Sequence, residues 1–461
     1  MPDLGRRGGG ILALAGCLVV VLGVASNAFG AESDAPALPQ NGPTPVLAPV
    51  SLSGPPKPTP AGLAKVLLPA LSARALGPNA TISVVDPENG TTLFDRGGST
   101  SLPPASTAKL LTAAATSTAL GADSQIATRV VQGSAPDQVV LVGGGDPLLE
   151  VAPSSNAASA TDFAKPRASL KELAVSTAKS LKSAAGEMPA TIHVSYDTSL
   201  FTGPQTAPSW PSSYVTANIV APITPLMVNG GRIGLSVVSN PAAYAAKQFA
   251  AQLAAQGITV APTQSAQAAP PNAAQLAQVV SPPISEVVMQ TLTYSDNTAA
   301  EVLAHLAGRA VVGNASFSGG ADATIKVLNQ LGISTSGVTL VDGSGLSRDD
   351  AVPASVLAQL MSTVARQGNA QIWAAQSGTP IAGLTGTLAV QFAEPSNRAG
   401  RGVVRAKTGT LSGLTTLAGT VADTDGALLA FAIMAPHAGP NTAAEAARNR
   451  VASLLATCGC R

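Results

Sequence analysis

Two stretches with the pattern of a β-hairpin, one near each end of the chain, most constrain the fold. The later stretch, TTLAGTVADTDGALLAFAIMA at Thr415 to Ala435, turns at Asp425-Gly426 and is apolar enough to predict a deeply buried hairpin. The earlier stretch, TISVVDPENGTTLFDRG at Thr81 to Gly97, predicts two short strands around a Pro-Glu-Asn-Gly turn. Helical periodicity follows Ser106 and recurs at Ser285 to Gly308, Ala354 to Gly368 and Thr442 to Cys458. The order predicts an α+β domain whose sheet is completed by both ends of the chain.

The region from about 125 to 285 has a different texture. It mixes short strands with Pro-rich and Ala-rich loops, as in SAPDQVVLVGGGDPLLEV and TQSAQAAPPNAAQLAQVV. A chain of 461 residues is also longer than one small core requires. We therefore expect one or more inserted domains at 125–285, which divide the main domain into a first part at 61–124 and a second part at 286–461.

The first 60 residues predict export. A basic start, an apolar run from Ile11 to about Ala25 and small residues at Ala28 and Gly30 make residues 1–30 a signal peptide or an N-terminal membrane anchor. The LAGC stretch ending at Cys17 also resembles a lipoprotein cleavage box. Residues 31–60 are rich in proline and predict a disordered, semi-rigid spacer. The working part is therefore expected outside the cytoplasm, in the periplasm, the cell-wall space or the medium.

Charge, cysteine and histidine usage exclude several functions. The formal net charge is +1, with 26 Lys and Arg against 25 Asp and Glu, and no dense basic run accompanies aromatic residues, so a nucleic-acid partner is not expected. Cys458 and Cys460 either pair with each other or form an inert tail, and two such thiols do not make a metal site. His193, His305 and His437 each have an ordinary structural context, without a GxSxG nucleophile elbow or a zinc-ligand cluster.

The tetrapeptide STAK occurs twice and offers two candidate Ser–Lys pairs. Ser176 and Lys179 fall on the polar face of a helix whose opposite face is apolar, which predicts a solvated surface. Ser106 follows Pro103-Pro104, so a helix begins near it, and Lys109 lies one turn later in a segment without other charges. Burial disfavours the ammonium form, and a neutral amine beside a hydroxyl is a general base next to a nucleophile. The alternative for Lys109 is a surface lysine near a helix start.

Two further motifs follow in order, Ser295-Asp296-Asn297 and Lys407-Thr408-Gly409. The set S-x-x-K, S-D-N and K-T-G is typical of penicillin-binding proteins and class A β-lactamases. The long separation between Lys109 and Ser295, with LVGGGDPLL, LVDGSGLSR (340–348), GLTGTL (383–388) and RAKTGTLSG, makes residues 62–455 resemble the class C low-molecular-mass penicillin-binding proteins. These are the DacB-type D-alanyl-D-alanine carboxypeptidases and endopeptidases. The resemblance implies a penicillin-binding transpeptidase fold, an antiparallel sheet flanked by helices, with domains inserted between the first two motifs.

The resemblance also implies roles for the motif residues. Ser106 attacks the peptide bond between two D-Ala residues, Lys109 accepts its proton, and Ser295 relays a proton to the leaving amine. Asn297 binds the backbone amide of the substrate. Lys407 supplies a positive field.

Backbone and hydroxyl groups of the KTGT strand complete the implied site. Thr408 and Thr410 hold the terminal carboxylate, and Gly409 lets the substrate backbone approach. The N–H groups of Ser106 and Thr410 form the oxyanion hole. No catalytic role is assigned to Asp146 in GGGDP.

The expected function is that of an exported serine D-Ala-D-Ala carboxypeptidase or endopeptidase, which acts on peptidoglycan peptides, binds β-lactam antibiotics covalently and needs no cofactor. A β-lactamase on the same fold and a non-catalytic scaffold that binds the cell wall are the two alternatives. The sequence leaves open the choice between carboxypeptidase and endopeptidase, the cleavage of the signal segment, the role of the inserted domains and the oligomeric state.

Overall fold

The structure is a computed structural model that describes residues 55–153, 167–183, 189–262, 264–366 and 369–461. The predicted signal segment and nearly all of the predicted spacer lie outside the described residues. Within these ranges, no helix is long and apolar enough to cross a membrane.

The described helices and strands are numbered here in chain order. The α-helices are α1 Pro60–Leu71, α2 Ala108–Leu120, α3 Leu170–Ser183, α4 Ser213–Thr216, α5 Pro241–Ala254, α6 Ile284–Tyr294, α7 Asn297–Val312, α8 Phe317–Gln330, α9 Ala354–Ala365, α10 Trp373–Ser377 and α11 Asn441–Ala456. The strands are β1 Thr81–Val85, β2 Thr92–Arg96, β3 Ser101–Leu102, β4 Ala127–Gln132, β5 Gln138–Val142, β6 His193–Asp197, β7 Arg232–Ile233, β8 Ser236–Val237, β9 Ser265–Ala266, β10 Gln275–Val280, β11 Val352–Pro353, β12 Val404–Leu411, β13 Leu414–Ala422 and β14 Leu428–Ala435.

The main sheet joins the two ends of the chain, as the sequence predicts. Its five strands follow the order β12-β13-β14-β1-β2 and all pairs are antiparallel. Strand β1 pairs with β14 in a register that sets Ile82 opposite Ile433 and Val84 opposite Phe431. Both predicted hairpins are present, and the α+β fold is confirmed.

The two faces of this sheet belong to different cores because side chains alternate along a strand. On β14, Phe431 and Ile433 pack with Leu67 of α1 and Leu455 of α11. The alternate residues of β14, such as Met434, face the helical layer that contains α2, α6, α7 and α9. This helical layer carries the first two motifs, and β12 carries the third at the open edge of the sheet.

A second five-stranded sheet lies within the region of different texture. Its order is β10-β4-β5-β6-β9, with antiparallel pairs at β10-β4-β5 and parallel pairs at β5-β6-β9. Helices α3 and α5 pack with it in a separate core. On α3 the predicted apolar stripe is buried, whereas Ser176 and Lys179 are exposed. The second STAK is therefore a solvated helix surface, as predicted.

The C-terminal tail packs on the start of α1. Cys458 and Cys460 form a disulfide, which selects the first of the two alternatives left open by the sequence. The carbonyl of Cys460 accepts a 2.7 Å hydrogen bond from the N–H of Thr59, the N-cap residue of α1. The tail therefore ties the end of the chain to the first described helix.

Candidate active site

Ser106 lies in a tight turn that leads directly into α2. The turn is a 3-10 helix at Ala105–Thr107, and the Thr107 hydroxyl donates to the Pro104 carbonyl over 2.6 Å. Ala105 has φ +47°, in a region that residues other than glycine seldom adopt and that is concentrated at functional sites. The Ser106 N–H belongs to the first turn and has no acceptor within the helix. The hydroxyl is partly exposed while its surroundings are buried.

Lys109 is buried, with 1% of its surface exposed. Its Nζ lies 2.9 Å from Ser106 Oγ, 2.7 Å from Asn297 Oδ1 and 2.7 Å from the Ser344 carbonyl oxygen. Burial lowers the pKa of Lys109 to about 8, although four nearby carboxyl groups act in the opposite direction. These are Asp342, Glu301, Asp296 and Asp350. The prediction that Lys109 is buried next to Ser106 is confirmed.

The neighbours of Lys109 fix where the lone pair of its neutral amine points. A neutral amine has two hydrogens and one lone pair. The carbonyl oxygens of Asn297 and Ser344 can only accept hydrogen bonds, so they take the two hydrogens. Of the three atoms in contact with Nζ, only Ser106 Oγ carries a hydrogen that it can donate. The lone pair is therefore left for the Ser106 hydroxyl, the geometry that a general base requires.

The second motif forms the sharp connection between α6 and α7. Ser295 ends α6 with φ +57° and ψ +40°, and Asp296 caps α7 by accepting the Ala299 N–H over 2.9 Å. Asn297 is the first residue of α7, and its Nδ2 donates to the Ile219 carbonyl over 3.0 Å. Both ends of the Asn297 amide are thus in use, one on Lys109 and one on Ile219.

Strand β12 brings a second buried lysine to the site. Lys407 is fully buried and its Nζ donates to Ser295 Oγ over 2.8 Å and to the Thr408 carbonyl over 2.9 Å. Burial lowers the pKa of Lys407 well below its usual value, and the charges of Lys109 and Arg448 act in the same direction. Arg448 of α11 is itself fully buried. Ser106 and Ser295 are therefore each paired with their own lysine.

The open edge of β12 faces the site. The N–H of Ala406 donates to the Pro380 carbonyl outside the sheet over 2.9 Å. In an antiparallel strand every second residue directs its main-chain groups to the same edge, so those of Thr408 and Thr410 also point away from β13. The Thr410 N–H is consequently available at the edge of the sheet.

The side chains of the KTGT stretch divide between two faces. Thr408 Oγ1 lies 3.0 Å from Thr387 Oγ1, and Thr410 Oγ1 donates to Glu445 Oε1 over 3.3 Å. Of the four KTGT residues, Thr410 alone lines the cavity beside Ser106. The structure therefore does not bring the Thr408 hydroxyl to this cavity. Gly409 has a packing requirement that the sequence analysis did not consider. A Cβ there would collide with Thr416 Oγ1 and lie 2.8 Å from the Pro104 carbonyl oxygen, because β12 packs against the turn that carries Ser106.

A cavity of about 390 Å³ opens at these groups. It is lined by Ser106, Ser295, Asn297 and Thr410, together with Tyr214, Ile219, Leu346, Arg348, Leu411, Ser412 and Asn441. A larger cavity of about 780 Å³ lies between the second sheet and the end of α7 and contains none of the motif residues. We assign the site to the smaller cavity because it contains the reactive groups.

Several residues of the site carried no recognised signal in the sequence. The Ser344 and Ile219 carbonyls and the Glu445 carboxylate contact the motif residues. The segment LVDGSGLSR, which contains Ser344, entered only through the family resemblance. Main-chain acceptors leave no mark in a sequence because every residue has one.

His305 and Asp146 are two buried titratable residues that do not line the cavity beside Ser106. His305 is buried between Phe201 and Phe317, with ring centroids 4.9 and 4.8 Å away, and burial lowers its pKa to about 4. Asp146 is also buried, and burial raises its pKa to about 7. Among the described residues, no group of three His, Cys, Asp or Glu side chains is arranged to hold a metal ion.

Comparison with known proteins agrees with this arrangement. The profile of the D-Ala-D-Ala carboxypeptidase 3 (S13) family matches residues 64–240 and 234–458. Carboxypeptidase DacB of Mycolicibacterium smegmatis is 34% identical over 97% of this chain and 96% of its own length. The D-alanyl-D-alanine carboxypeptidase of an Actinomadura species is 30% identical over 81% of this chain and 80% of its own length.

The crystal structure of penicillin binding protein 4 (dacB) from Haemophilus influenzae has a similar fold. The TM-score is 0.69 at 21% identity, and the match covers 83% of this chain and 98% of that chain. The predicted fold of an antiparallel sheet with flanking helices is confirmed by this likeness.

Proposed function

The chain belongs to the D-Ala-D-Ala carboxypeptidase 3 (S13) family, and from this premise we propose that Ser106 is its nucleophile and Lys109 its general base. The protein is a serine-type D-alanyl-D-alanine carboxypeptidase and a penicillin-binding protein of the DacB type. The observation that carries the residue assignment is the contact of the buried Lys109 Nζ with Ser106 Oγ at 2.9 Å, with two carbonyl acceptors on its other side.

Acylation begins when Ser106 Oγ attacks the carbonyl carbon of the penultimate D-Ala. The hydroxyl proton passes to the lone pair of Lys109, and the carbonyl oxygen takes the negative charge of the tetrahedral intermediate. The N–H groups of Ser106 and Thr410 stabilise that charge, each by about 2.7–4 kcal/mol. When the C–N bond breaks, Lys109 returns its proton through the Ser295 hydroxyl to the leaving nitrogen. The terminal D-Ala leaves as a neutral amine, and Lys109 is again unprotonated.

Deacylation repeats the sequence with water. A water molecule attacks the ester carbon while Lys109 accepts one of its protons. The bond from carbon to Ser106 Oγ then breaks, and the same proton returns to the serine oxygen. The products are the free acid of the shortened peptide and the original enzyme.

The substrate is held by the edge of β12 and by α7. Lys407 lies beside Ser295 and supplies positive charge when it is protonated. Thr410, which lines the cavity, receives the terminal carboxylate of the substrate. Gly409 keeps the strand close to the serine turn. Asn297 binds the substrate backbone by exchanging the Ile219 carbonyl for a carbonyl of the substrate.

The expected substrates are peptidoglycan stem peptides that end in D-Ala-D-Ala, and cross-linked stems where the enzyme acts as an endopeptidase. β-Lactams imitate the D-Ala-D-Ala bond and acylate the same serine. We also propose that residues 1–30 direct export and either leave by cleavage or stay as a membrane anchor. Fractionation of expressing cells and N-terminal sequencing of the mature protein test this, and a full-length protein retained in the cytoplasm would contradict it.

The nucleophile is tested by intact-mass measurement of the full chain with benzylpenicillin over time. Ser106→Ala is compared with Ser176→Ala, the matched change at the second STAK. We expect a long-lived adduct in the parent and in Ser176→Ala, and none in Ser106→Ala. An adduct that disappears while the antibiotic is consumed would favour a β-lactamase. The absence of any adduct in the folded parent would favour a wall-binding scaffold.

A further inference from the structure

The loop Asp342–Gly345 presses two consecutive carbonyl groups against α2. The Ser344 carbonyl accepts from Lys109 Nζ over 2.7 Å, and the Gly343 carbonyl accepts from Thr112 Oγ1 over 2.6 Å. Gly345, with φ +78°, approaches so closely that a Cβ there would collide with the Ala105 carbonyl. The loop is therefore packed against the turn and the helix that carry the nucleophile and the base.

Glu301 holds this loop from the opposite side. It lies on α7 one turn after Asn297 and is fully buried. Its Oε2 accepts the Gly343 N–H over 2.9 Å, and its Oε1 accepts the Ser344 N–H over 2.8 Å. The peptide group between Gly343 and Ser344 is therefore fixed at both ends, by Thr112 on its carbonyl and by Glu301 on its N–H.

We propose that Glu301 is a positioning residue that fixes the Ser344 carbonyl as a hydrogen-bond acceptor and so aims the amine of Lys109 at Ser106. The inference rests on the proposed function, in which Lys109 is the general base. If the Ser344 acceptor moves, one N–H of Lys109 loses its partner and the amine can rotate its lone pair away from the serine. Helix α7 then supplies both constraints on the base, Asn297 directly and Glu301 through the loop.

Glu301→Gln separates this role from simple packing. Glutamine has the same shape but only one acceptor oxygen, so one of the Gly343 and Ser344 N–H groups must face an N–H₂ group. The matched control is Asp350→Asn, the same acid-to-amide change in a buried residue that contacts the start of this loop. Asp350 Oδ1 accepts from the Val341 and Asp342 N–H groups and does not contact Ser344.

The measurement is the benzylpenicillin acylation of the full chain at several concentrations, which gives a limiting rate constant and a half-saturation constant. We expect Glu301→Gln to lower the limiting rate constant by about tenfold to about 10²-fold, because small misplacement of a catalytic group has effects of that size. The half-saturation constant should stay unchanged. All rates are measured well above pH 8, where the effects of Glu301 and Asp350 on the pKa of Lys109 do not matter. There, Asp350→Asn should acylate at a rate near that of the parent.

Two further variants keep the test decisive. If Glu301→Gln does not fold, Thr112→Val replaces it, because it releases the other end of the same peptide group and should also lower the limiting rate constant. Equal rates in Glu301→Gln and Asp350→Asn overturn the inference. Lys109→Met tests the general-base role of Lys109 separately from the positioning role of Glu301. If it acylates as fast as the parent, the general-base assignment fails, whereas an inert Lys109→Met beside a normal Glu301→Gln removes only the role of Glu301.

Discussion

At the scale of single residues, the proposed chemistry depends on keeping Lys109 neutral next to Ser106. Lys109 is surrounded by acceptors and by acidic groups that favour its charged form, yet burial outweighs them and its pKa falls to about 8. Burial lowers the pKa of Lys407 well below its usual value, and the neighbouring cations Lys109 and Arg448 lower it further. The site therefore holds two amines whose pKa values lie well below those of surface lysines.

The lowered pKa of Lys109 predicts that the acylation rate depends on pH. Lys109 acts as a base only when it is unprotonated, so the second-order acylation rate constant should rise about tenfold per pH unit below pH 8 and level off above it. The rate constants are measured with benzylpenicillin by intact mass from pH 6 to 10. In Lys407→Gln the rising limb should remain, either unchanged or moved to higher pH, because a repelling charge has been removed. A limb that disappears in Lys407→Gln would assign the titration to Lys407.

At the scale of elements, a helix start places the second motif. Asp296 caps α7 by accepting the Ala299 N–H, and the next residue, Asn297, contacts Lys109. The chain breaks its helix between α6 and α7. Ser295, at the end of α6, contacts Lys407, and Asn297, at the start of α7, contacts Lys109. Asp296 suits its place between these two residues because aspartate is a preferred N-cap residue.

Removal of this cap should therefore affect both stability and activity. Asp296→Ala should cost about 0.5–2 kcal/mol in the free energy of unfolding and lower the acylation rate constant about tenfold or more. Asn240→Ala is the matched control, because Asn240 caps α5 through the Ala243 N–H. It should show a similar loss of stability and normal acylation. Rates are compared on the pH plateau, where the effect of Asp296 on the pKa of Lys109 does not matter. Equal acylation in both variants would contradict the positional argument.

At the scale of the whole molecule, the region 125–285, for which the sequence predicts an insertion, contributes directly to the candidate site. The Ile219 carbonyl accepts from Asn297, and the Ala221 N–H donates to the Thr298 hydroxyl over 3.1 Å. Trp210 Nε1 donates to the buried Asp342 Oδ2 over 2.7 Å. Asp342 in turn accepts main-chain N–H groups of the loop that contains Ser344. The segment from Trp210 to Ala221 therefore contacts and supports both α7 and Asp342, which holds the loop that contains Ser344.

Loss of the indole donor should weaken this connection. Trp210→Phe removes the indole donor from the buried Asp342 Oδ2 and should lower the free energy of unfolding by about 1–3 kcal/mol. Trp373, which is 55% exposed, is the matched control, and Trp373→Phe should change it by less than about 0.5 kcal/mol. The chain has two tryptophans, so each variant keeps one fluorescent reporter for urea denaturation. Equal effects of the two changes would show that the Trp210 contact is not stabilising.

Much of the fold could be predicted because its signals are local. The apolar hairpin at Thr415 to Ala435 and the turn at Asp425-Gly426 identified the buried strands, and the apolar stripe of α3 identified Ser176 as a surface residue. The division of the chain at 125 and 285 remains a prediction. The partners of the motif residues could not be predicted, because they are main-chain or distant side-chain groups without a characteristic pattern.

The sequence by itself determined the candidate nucleophile, its buried lysine, the order of the three motifs and the family. These properties depend on residue type and on spacing over a turn of helix or a strand. Only the tertiary structure decided which groups surround Lys109. Its acceptor at Ser344 is 235 residues away, and the Glu301 carboxylate that holds that acceptor lies on a different helix. The physical reason is that an amine is aimed by the positions of its hydrogen-bond acceptors, and those positions exist only when distant segments pack together.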